Sequence, residues 1–311
     1  MRILFMGTPD FALFTLRALV EAGEQVVGVV TQPDKPRGRG YELTPPPVKV
    51  YATEQGIPVY QPATLRNGAF DSELKALAPD LIVVVAYGKI LPQEVLDFPR
   101  YGAMNVHGSL LPAYRGAAPM QRVLIDGMTE TGVTIMQMDA GLDTGDMLVV
   151  RRVPIGENDN FEDLHDTLGA VGAKAMLEAL ALLREGKLCP VPQDDALSNY
   201  AAKIEKSDCV LDWSLGARAL HDRIRGLSPI PLAFTRTPDG KMLKIVESRV
   251  SKNSCPCNAA PGTVLSLGEV IEVACGEGRL EILRLLPEGK GRMSAADYVR
   301  GRRLCVGDLL G

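Results

Sequence analysis

The chain has no cysteine before residue 189, a single tryptophan at position 213 and only three histidines. The first absence removes any disulfide framework from the first half. The six cysteines that follow include no C-x-x-C pair. The closest pair is Cys255-Pro256-Cys257, and no histidine stands near it to complete a tetrahedral zinc site. They read as reduced thiols of a cytoplasmic protein, and no metal is expected. Long apolar runs are also missing. The longest is Leu81–Tyr87, far short of the about 20 residues a membrane-spanning helix needs. Asp10 interrupts the apolar start and no small-residue cleavage site follows, so it reads as a first strand, not a signal peptide. Repeats and low-complexity tracts are absent.

With 46% apolar and 23% charged residues, wholesale disorder is excluded. A length of 311 residues favours two domains. The net charge of −4 is unevenly spread. Residues 1–207 hold 19 basic and 26 acidic groups, whereas residues 208–311 hold 15 and 12. A mildly basic second half permits contact with a polyanion, although on charge alone ordinary surface variation is the better account of the split.

The first half alternates short apolar strands with helical patterns. Strands are expected at Arg2–Gly7, Val26–Val30, Ile57–Tyr60, Leu81–Ala86, Met104–His107 and Val133–Met138. Helices are expected at Phe11–Ala22, Asp71–Ala78 and Phe161–Gly186. This is the signature of an α/β, Rossmann-like, mostly parallel sheet, whose ligands sit at the carboxyl ends of the strands. Cys189–Ser207 turns polar and irregular and reads as a linker. Beyond it come one helix, Ser214–Gly226, and five short strands: Leu232–Arg236, Met242–Val250, Gly262–Leu267, Val270–Ala274 and Arg279–Leu286. Ser294–Gly301 closes as a helix. Five short strands suit a small OB-like β-barrel. The expected domains are therefore 1–188 and 208–311, joined by 189–207.

The first strand–helix turn is Gly7-Thr8-Pro9-Asp10. It lacks the G-x-G-x-x-G that lets bare backbone approach a pyrophosphate, which argues against NAD or FAD, and no Walker A sequence occurs. The most informative segment is Asn105-Val106-His107-Gly108-Ser109-Leu110-Leu111-Pro112. Asn105 and His107 are two apart at a strand end, so both side chains point the same way. His107 fits catalysis, or a structural histidine bonded to a loop. His165 and His221 lie in amphipathic helices and read as surface or packing residues. A second strand feeds Asp139-Ala140-Gly141-Leu142-Asp143-Thr144-Gly145-Asp146. Its spacing does not match a calcium loop, and it reads either as a solvated acidic turn or as the source of a proton-transferring Asp. The stretch from Gln32 to Val48 is a long Pro/Gly loop carrying Lys35, Arg37 and Arg39, suited to a polyanion or to a flexible excursion.

These motifs resemble the methionyl-tRNA formyltransferase family. The likeness is carried by RILFMGTPDFA, QPDKPRGRG, NVHGSLLPAYRGAAPMQ, MDAGLDTGDML, YAAKIEKSDCVLDWS and the terminal YVRGRR, and it spans essentially the whole chain. It implies formyl transfer from 10-formyltetrahydrofolate to the α-amino group of methionyl-initiator tRNA. Asn105 and His107 would stabilise the oxyanion, and His107 and Asp143 would move protons. A carboxylate beside an imidazole favours the imidazole's protonated form. By the same resemblance Ser109, Leu110, Leu111 and Pro112 contact the folate. Tyr87, Gly88, Ile90 and Leu91 line its pterin pocket. Lys35, Arg37 and Arg39 reach toward the tRNA, the second domain cradles its backbone, and the enzyme works as a monomer. Three rival readings share some of these features. They are a formyltransferase with a small-molecule acceptor, a Ser109-His107-Asp143 hydrolase, and a non-catalytic RNA-binding protein. The hydrolase lacks a G-x-S-x-G elbow.

Overall fold

The computed structural model describes residues 1–37, 42–252, 258–301 and 303–311. They form two compact units that interleave along the chain. One comprises Met1–Gly116, Thr131–Val153 and His165–Tyr200; the other Ala117–Glu130, Pro154–Leu164 and Ala201–Gly311. In chain order the first elements are β1 (Arg2–Gly7), α1 (Asp10–Glu21), β2 (Gln25–Val30), β3 (Lys35–Arg37), β4 (Glu42–Thr44), α2 (Pro47–Glu54), β5 (Val59–Tyr60), α3 (Asp71–Leu77), β6 (Leu81–Val85), α4 (Gln93–Leu96), β7 (Ala103–His107), α5 (Pro119–Ile125), β8 (Glu130–Gln137), β9 (Met147–Pro154) and α6 (Phe161–Arg184).

The first unit is built on a seven-stranded sheet in the order β5-β2-β1-β6-β7-β8-β9. The first five are parallel and β8 runs antiparallel to β7. Every residue of β6, Leu-Ile-Val-Val-Val, is buried, as expected for a central strand covered on both faces. The chain leaves β1 for β2 on one side, while β6 lies on the other, so a crevice opens where the strand order reverses. There Thr8 Oγ1, just past β1, donates to Tyr87 O, just past β6, at 3.1 Å. Five elements of this unit escape the sequence expectation: β3, β4, α2, α4 and β9. The loop from Gln32 forms the hairpin β3–β4, paired from Lys35 with Thr44 to Arg37 with Glu42, before α2 begins at Pro47. The acidic turn is followed by β9, with Gln137 N donating to Asp146 O. The short helix α4 follows β6.

The second unit holds α5 and the remaining elements: α7 (Ala217–Leu227), β10 (Ala233–Arg236), β11 (Met242–Val250), β12 (Val264–Leu267), β13 (Ile271–Ala274), β14 (Arg279–Pro287), β15 (Met293–Ser294) and α8 (Ala295–Arg300). Its sheet is antiparallel, in the order β10-β11-β14-β13-β12, with β15 added to β14. Trp213, Leu220, Ile224, Ile245, Val264, Ile282 and Leu285 share its core. Helix α7 begins three residues later than the sequence suggests. Asp212 Oδ1 takes both Ser214 N (3.0 Å) and Ser214 Oγ (2.6 Å), which holds that segment in a turn. A buried ion pair anchors α7: Asp222 Oδ1 accepts from Arg225 Nε at 2.7 Å, and Arg225 Nη1 reaches the carbonyls of Gly156 and Asp159. Among the described residues no helix is long and apolar enough to cross a membrane.

Candidate active site at the carboxyl end of the sheet

Alternation along β7 puts Met104 and Val106 on one face and Asn105 and His107 on the other. Helix α6 covers the Val106 face so closely that a Cβ on Gly172 would lie 2.8 Å from Val106 Cγ1. The face bearing Asn105 and His107 is therefore the one open to chemistry. His107 is 5% exposed. Its Nε2 donates to Tyr114 O at 2.9 Å, so Nε2 carries hydrogen. Its Nδ1 faces Asp143 Oδ2 at 3.7 Å. Asp143 thus stands on the Nδ1 side of the ring, just beyond direct hydrogen-bond reach. Asp143 Oδ2 also accepts from Gly116 N at 2.9 Å. Its Oδ1 and the carboxamide of Asn105 have no protein hydrogen-bond partner among the described residues.

Two loops hold these groups. After His107 the chain wraps around Thr134 of β8. Thr134 Oγ1 donates to Ser109 O (2.8 Å) and accepts from Leu111 N (3.1 Å). Ser109 is fully buried and its hydroxyl donates to Ala113 O at 2.7 Å. That hydroxyl is engaged away from His107, which removes the geometry a Ser-His-Asp hydrolase needs. Leu110 and Pro112 are half-buried and Leu111 is buried. In the second loop the acidic residues divide their roles. Asp139 Oδ1 closes the turn through Gly141 N (3.0 Å) and Thr144 Oγ1 (2.7 Å), leaving Asp143 to face the histidine. Gly145 is required by close approach, since a Cβ there would fall 1.8 Å from Gln137 O. No cluster of three metal-ligating side chains occurs among the described residues.

The Tyr87–Leu91 loop leaves the neighbouring strand β6. Tyr87 O accepts from Thr8 Oγ1 and from Gln32 Nε2, each at 3.1 Å. The Tyr87 ring is buried, its hydroxyl has no partner among the described residues, and burial pushes its pKa up to about 12. Gly88 turns the chain at φ +79° and Ile90 is 74% exposed, while Leu91 returns to the core. The hairpin β3–β4 carries exposed Lys35 and the backbone of Arg37; Arg39 lies outside the described residues. Lys89 adds to this basic surface. Burial, and then repulsion from Lys35, lowers its pKa, while Nζ donates to the carbonyls of Pro62 and Ala63.

The sequence reading misses Thr134, Tyr114, Arg115, Gly116, Gln193 and Asn199 as site residues. Most act through backbone or by holding others, and no motif flags such roles. The only hint for Gln193 and Asn199 is the polarity of their stretch.

The sequence pattern of the family described as Formyl transferase matches residues 1–180, and that of Formyl transferase, C-terminal domain, matches residues 203–303. The chain is 51% identical over 312 aligned positions to a methionyl-tRNA formyltransferase of Citrifermentans bemidjiense, covering 100% of this chain and 96% of the relative. Among solved structures, an N-formyltransferase from Helicobacter canadensis, crystallised with folinic acid and dTDP-3-aminofucose, aligns with a TM-score of 0.67. It is 18% identical, and the alignment covers 90% of this chain and 98% of that one. HypX from Aquifex aeolicus in complex with tetrahydrofolic acid aligns with a TM-score of 0.64 at 19% identity, covering 96% of this chain and 47% of the other. These two likenesses concern the fold. The identity along the whole length, with both domains matched in order, decides the membership: the chain belongs to the methionyl-tRNA formyltransferase family.

Proposed function

We propose that Asn105, His107 and Asp143 carry out this family's reaction, in which 10-formyltetrahydrofolate gives its formyl group to the α-amino group of methionyl-initiator tRNA. The product, formylmethionyl-tRNA, serves translation initiation. The observation that carries the assignment is the pairing of His107 Nδ1 with Asp143 beside the unpartnered amide of Asn105. As the amine attacks the formyl carbon, negative charge grows on the formyl oxygen, and Asn105 donates a hydrogen bond to it. The attacking nitrogen loses one proton and the departing folate nitrogen gains one, so a single relay closes the balance. Asp143, with Oδ1 open, takes the first. His107 Nδ1 takes that proton from Asp143 and delivers it, through a water, to the departing nitrogen, while the Nε2–H donated to Tyr114 O holds the ring in place. Nucleophilic catalysis by the protein is unnecessary, because a neutral amine is itself the nucleophile.

The donor-binding surface in this reading consists of Leu110, Leu111 and Pro112 on one side and Tyr87, Gly88, Ile90 and Leu91 on the other. Ser109 serves by shaping its loop. Lys35, Arg37 and Arg39 take the acceptor end of the tRNA. Residues 208–311 form the tRNA-binding domain, 1–188 the catalytic domain, and 189–207 join them. The enzyme acts as a cytoplasmic monomer.

The test is formylation of methionyl-initiator tRNA beside free methionine and an elongator methionyl-tRNA. Product from the initiator tRNA alone, lost with His107→Ala and Asp143→Ala, is expected. Folate turnover without formylated tRNA would return the acceptor to a small molecule. Full activity in the variants would reject the residue assignment.

A further inference from the structure

The stretch after α6 returns to the catalytic loops and ties them down. Val191 exchanges both backbone hydrogen bonds with Met147, each at 2.9 Å. Two residues on, Gln193 Nε2 donates to Asp143 O at 2.9 Å and to Gly145 O at 2.7 Å. Gln193 Oε1 in turn accepts from Arg115 Nε (3.0 Å) and Nη2 (2.8 Å). Arg115, its side chain 11% exposed, belongs to the turn whose Tyr114 O holds His107 and whose Gly116 N holds Asp143. Asn199 closes the other side, with its O accepting from Arg115 N at 3.1 Å and its Oδ1 from Tyr114 N.

Asp143 needs such support. It sits at φ +55°, in the left-handed region, uncommon for non-glycine residues although Asp enters it more readily than most. One amide therefore spans both loops. Its nitrogen fixes the backbone of Asp143, and its oxygen fixes the arginine beside the backbone that orients His107 and Asp143. We propose that Gln193 is a positioning residue for formyl transfer, acting through Asp143 by holding that carboxylate opposite His107 Nδ1. The proposal rests on the proton-carrying role of Asp143 given above.

A double-mutant cycle in the full-length enzyme tests it, using single-turnover formylation of methionyl-initiator tRNA. Gln193→Ala should lower the rate about 10- to 100-fold, the scale of a catalytic group displaced by about 1 Å. KM for both substrates should stay within about threefold. Gln193→Glu keeps an acceptor for Arg115 but turns an oxygen toward the two carbonyls, so it should be at least as slow. If Gln193 works through Asp143, Gln193→Ala added to Asp143→Asn should cost nothing further. Losses that multiply in the double variant, or a Gln193→Glu enzyme as fast as wild type, would overturn the proposal. A fully active Asp143→Asn enzyme would instead remove the Asp143 assignment, a distinguishable failure. Thermal midpoints accompany each rate, and Gln193→Met replaces the alanine variant should that one unfold.

Discussion

Asn105→Ala isolates the stabilisation of the formyl oxygen from the stability of the fold. The Asn105 side chain is half-buried on the open face of β7 and its amide bonds no other protein group among the described residues. Truncation therefore leaves no buried partner unsatisfied, and the folding cost should stay near the ±0.5 kcal/mol of ordinary surface changes. That corresponds to a thermal midpoint lowered by about 2 °C at most for a chain of this size. The catalytic cost is of a different order. Removing one preorganised oxyanion donor typically lowers kcat by about 10²–10³, or about 2.7–4 kcal/mol. The loss should appear in single-turnover formylation with saturating folate and tRNA, and KM for either should move little, because the hydrogen bond strengthens only as charge develops. Asn105→Asp, nearly isosteric but presenting an acceptor, should fall at least as far. An alanine variant that keeps more than a tenth of wild-type kcat, or whose loss lies wholly in KM, would refute the reasoning.

Three further outcomes are expected. Asp222→Ala strands Arg225, which is 4% exposed, and should cost about 3–5 kcal/mol, whereas Arg218→Ala, removing a half-exposed partner of the same carboxylate, should cost under about 1 kcal/mol. Urea unfolding followed by the fluorescence of Trp213, the sole tryptophan and buried in the second unit, reads both, and equal costs would contradict the account. Burial, opposed by the hydrogen bond to Glu157 O, lowers the pKa of His221 below 6.5, so the unfolded chain binds the proton more readily. Stability from this group is therefore complete above pH 6.5 and declines as pH falls toward the folded-state pKa. His221→Gln should flatten that decline in thermal midpoints measured from pH 7.5 to 5, and an unchanged slope would exclude His221 as its source. Arg39→Ala should weaken use of tRNA, flatten its salt dependence by roughly 0.7–0.9 in log–log slope, and leave folate binding intact; equal losses for both substrates would count against the tRNA role.

What the sequence discloses follows from how local each signal is. Strand β6 and helix α6 are legible because an unbroken apolar run and a sustained helical period need no partner to be recognised. Strand β9 is not, because Arg151 and Arg152 break its apolar pattern and only Val149 and Val153 are buried. The hairpin β3–β4 hides in a Pro/Gly-rich stretch whose strands are three residues each. Within the site, Asn105 and His107 are legible together because strand alternation links residues two apart. Which of the two aspartates faces His107 depends on partners brought together by the fold: Thr144 engages Asp139, and Gly116 N and His107 lie beside Asp143. Gln193 is invisible to such reasoning, since its partners lie 48 to 78 residues upstream and its neighbours read as a polar connector.

The clamp around Asp143 also sets an order of assembly during synthesis. Asp143, Tyr114 and His107 emerge from the ribosome before Gln193 and Asn199, the residues that fasten their loops. At about 5–20 residues per second, the interval between Asp143 and Gln193 lasts about 2.5–10 s. Through that time the nascent sheet can form, yet the facing pair of His107 and Asp143 has no lock. Any chain terminated within that interval would carry Asn105, His107 and Asp143 and still lack the two residues that fasten their loops.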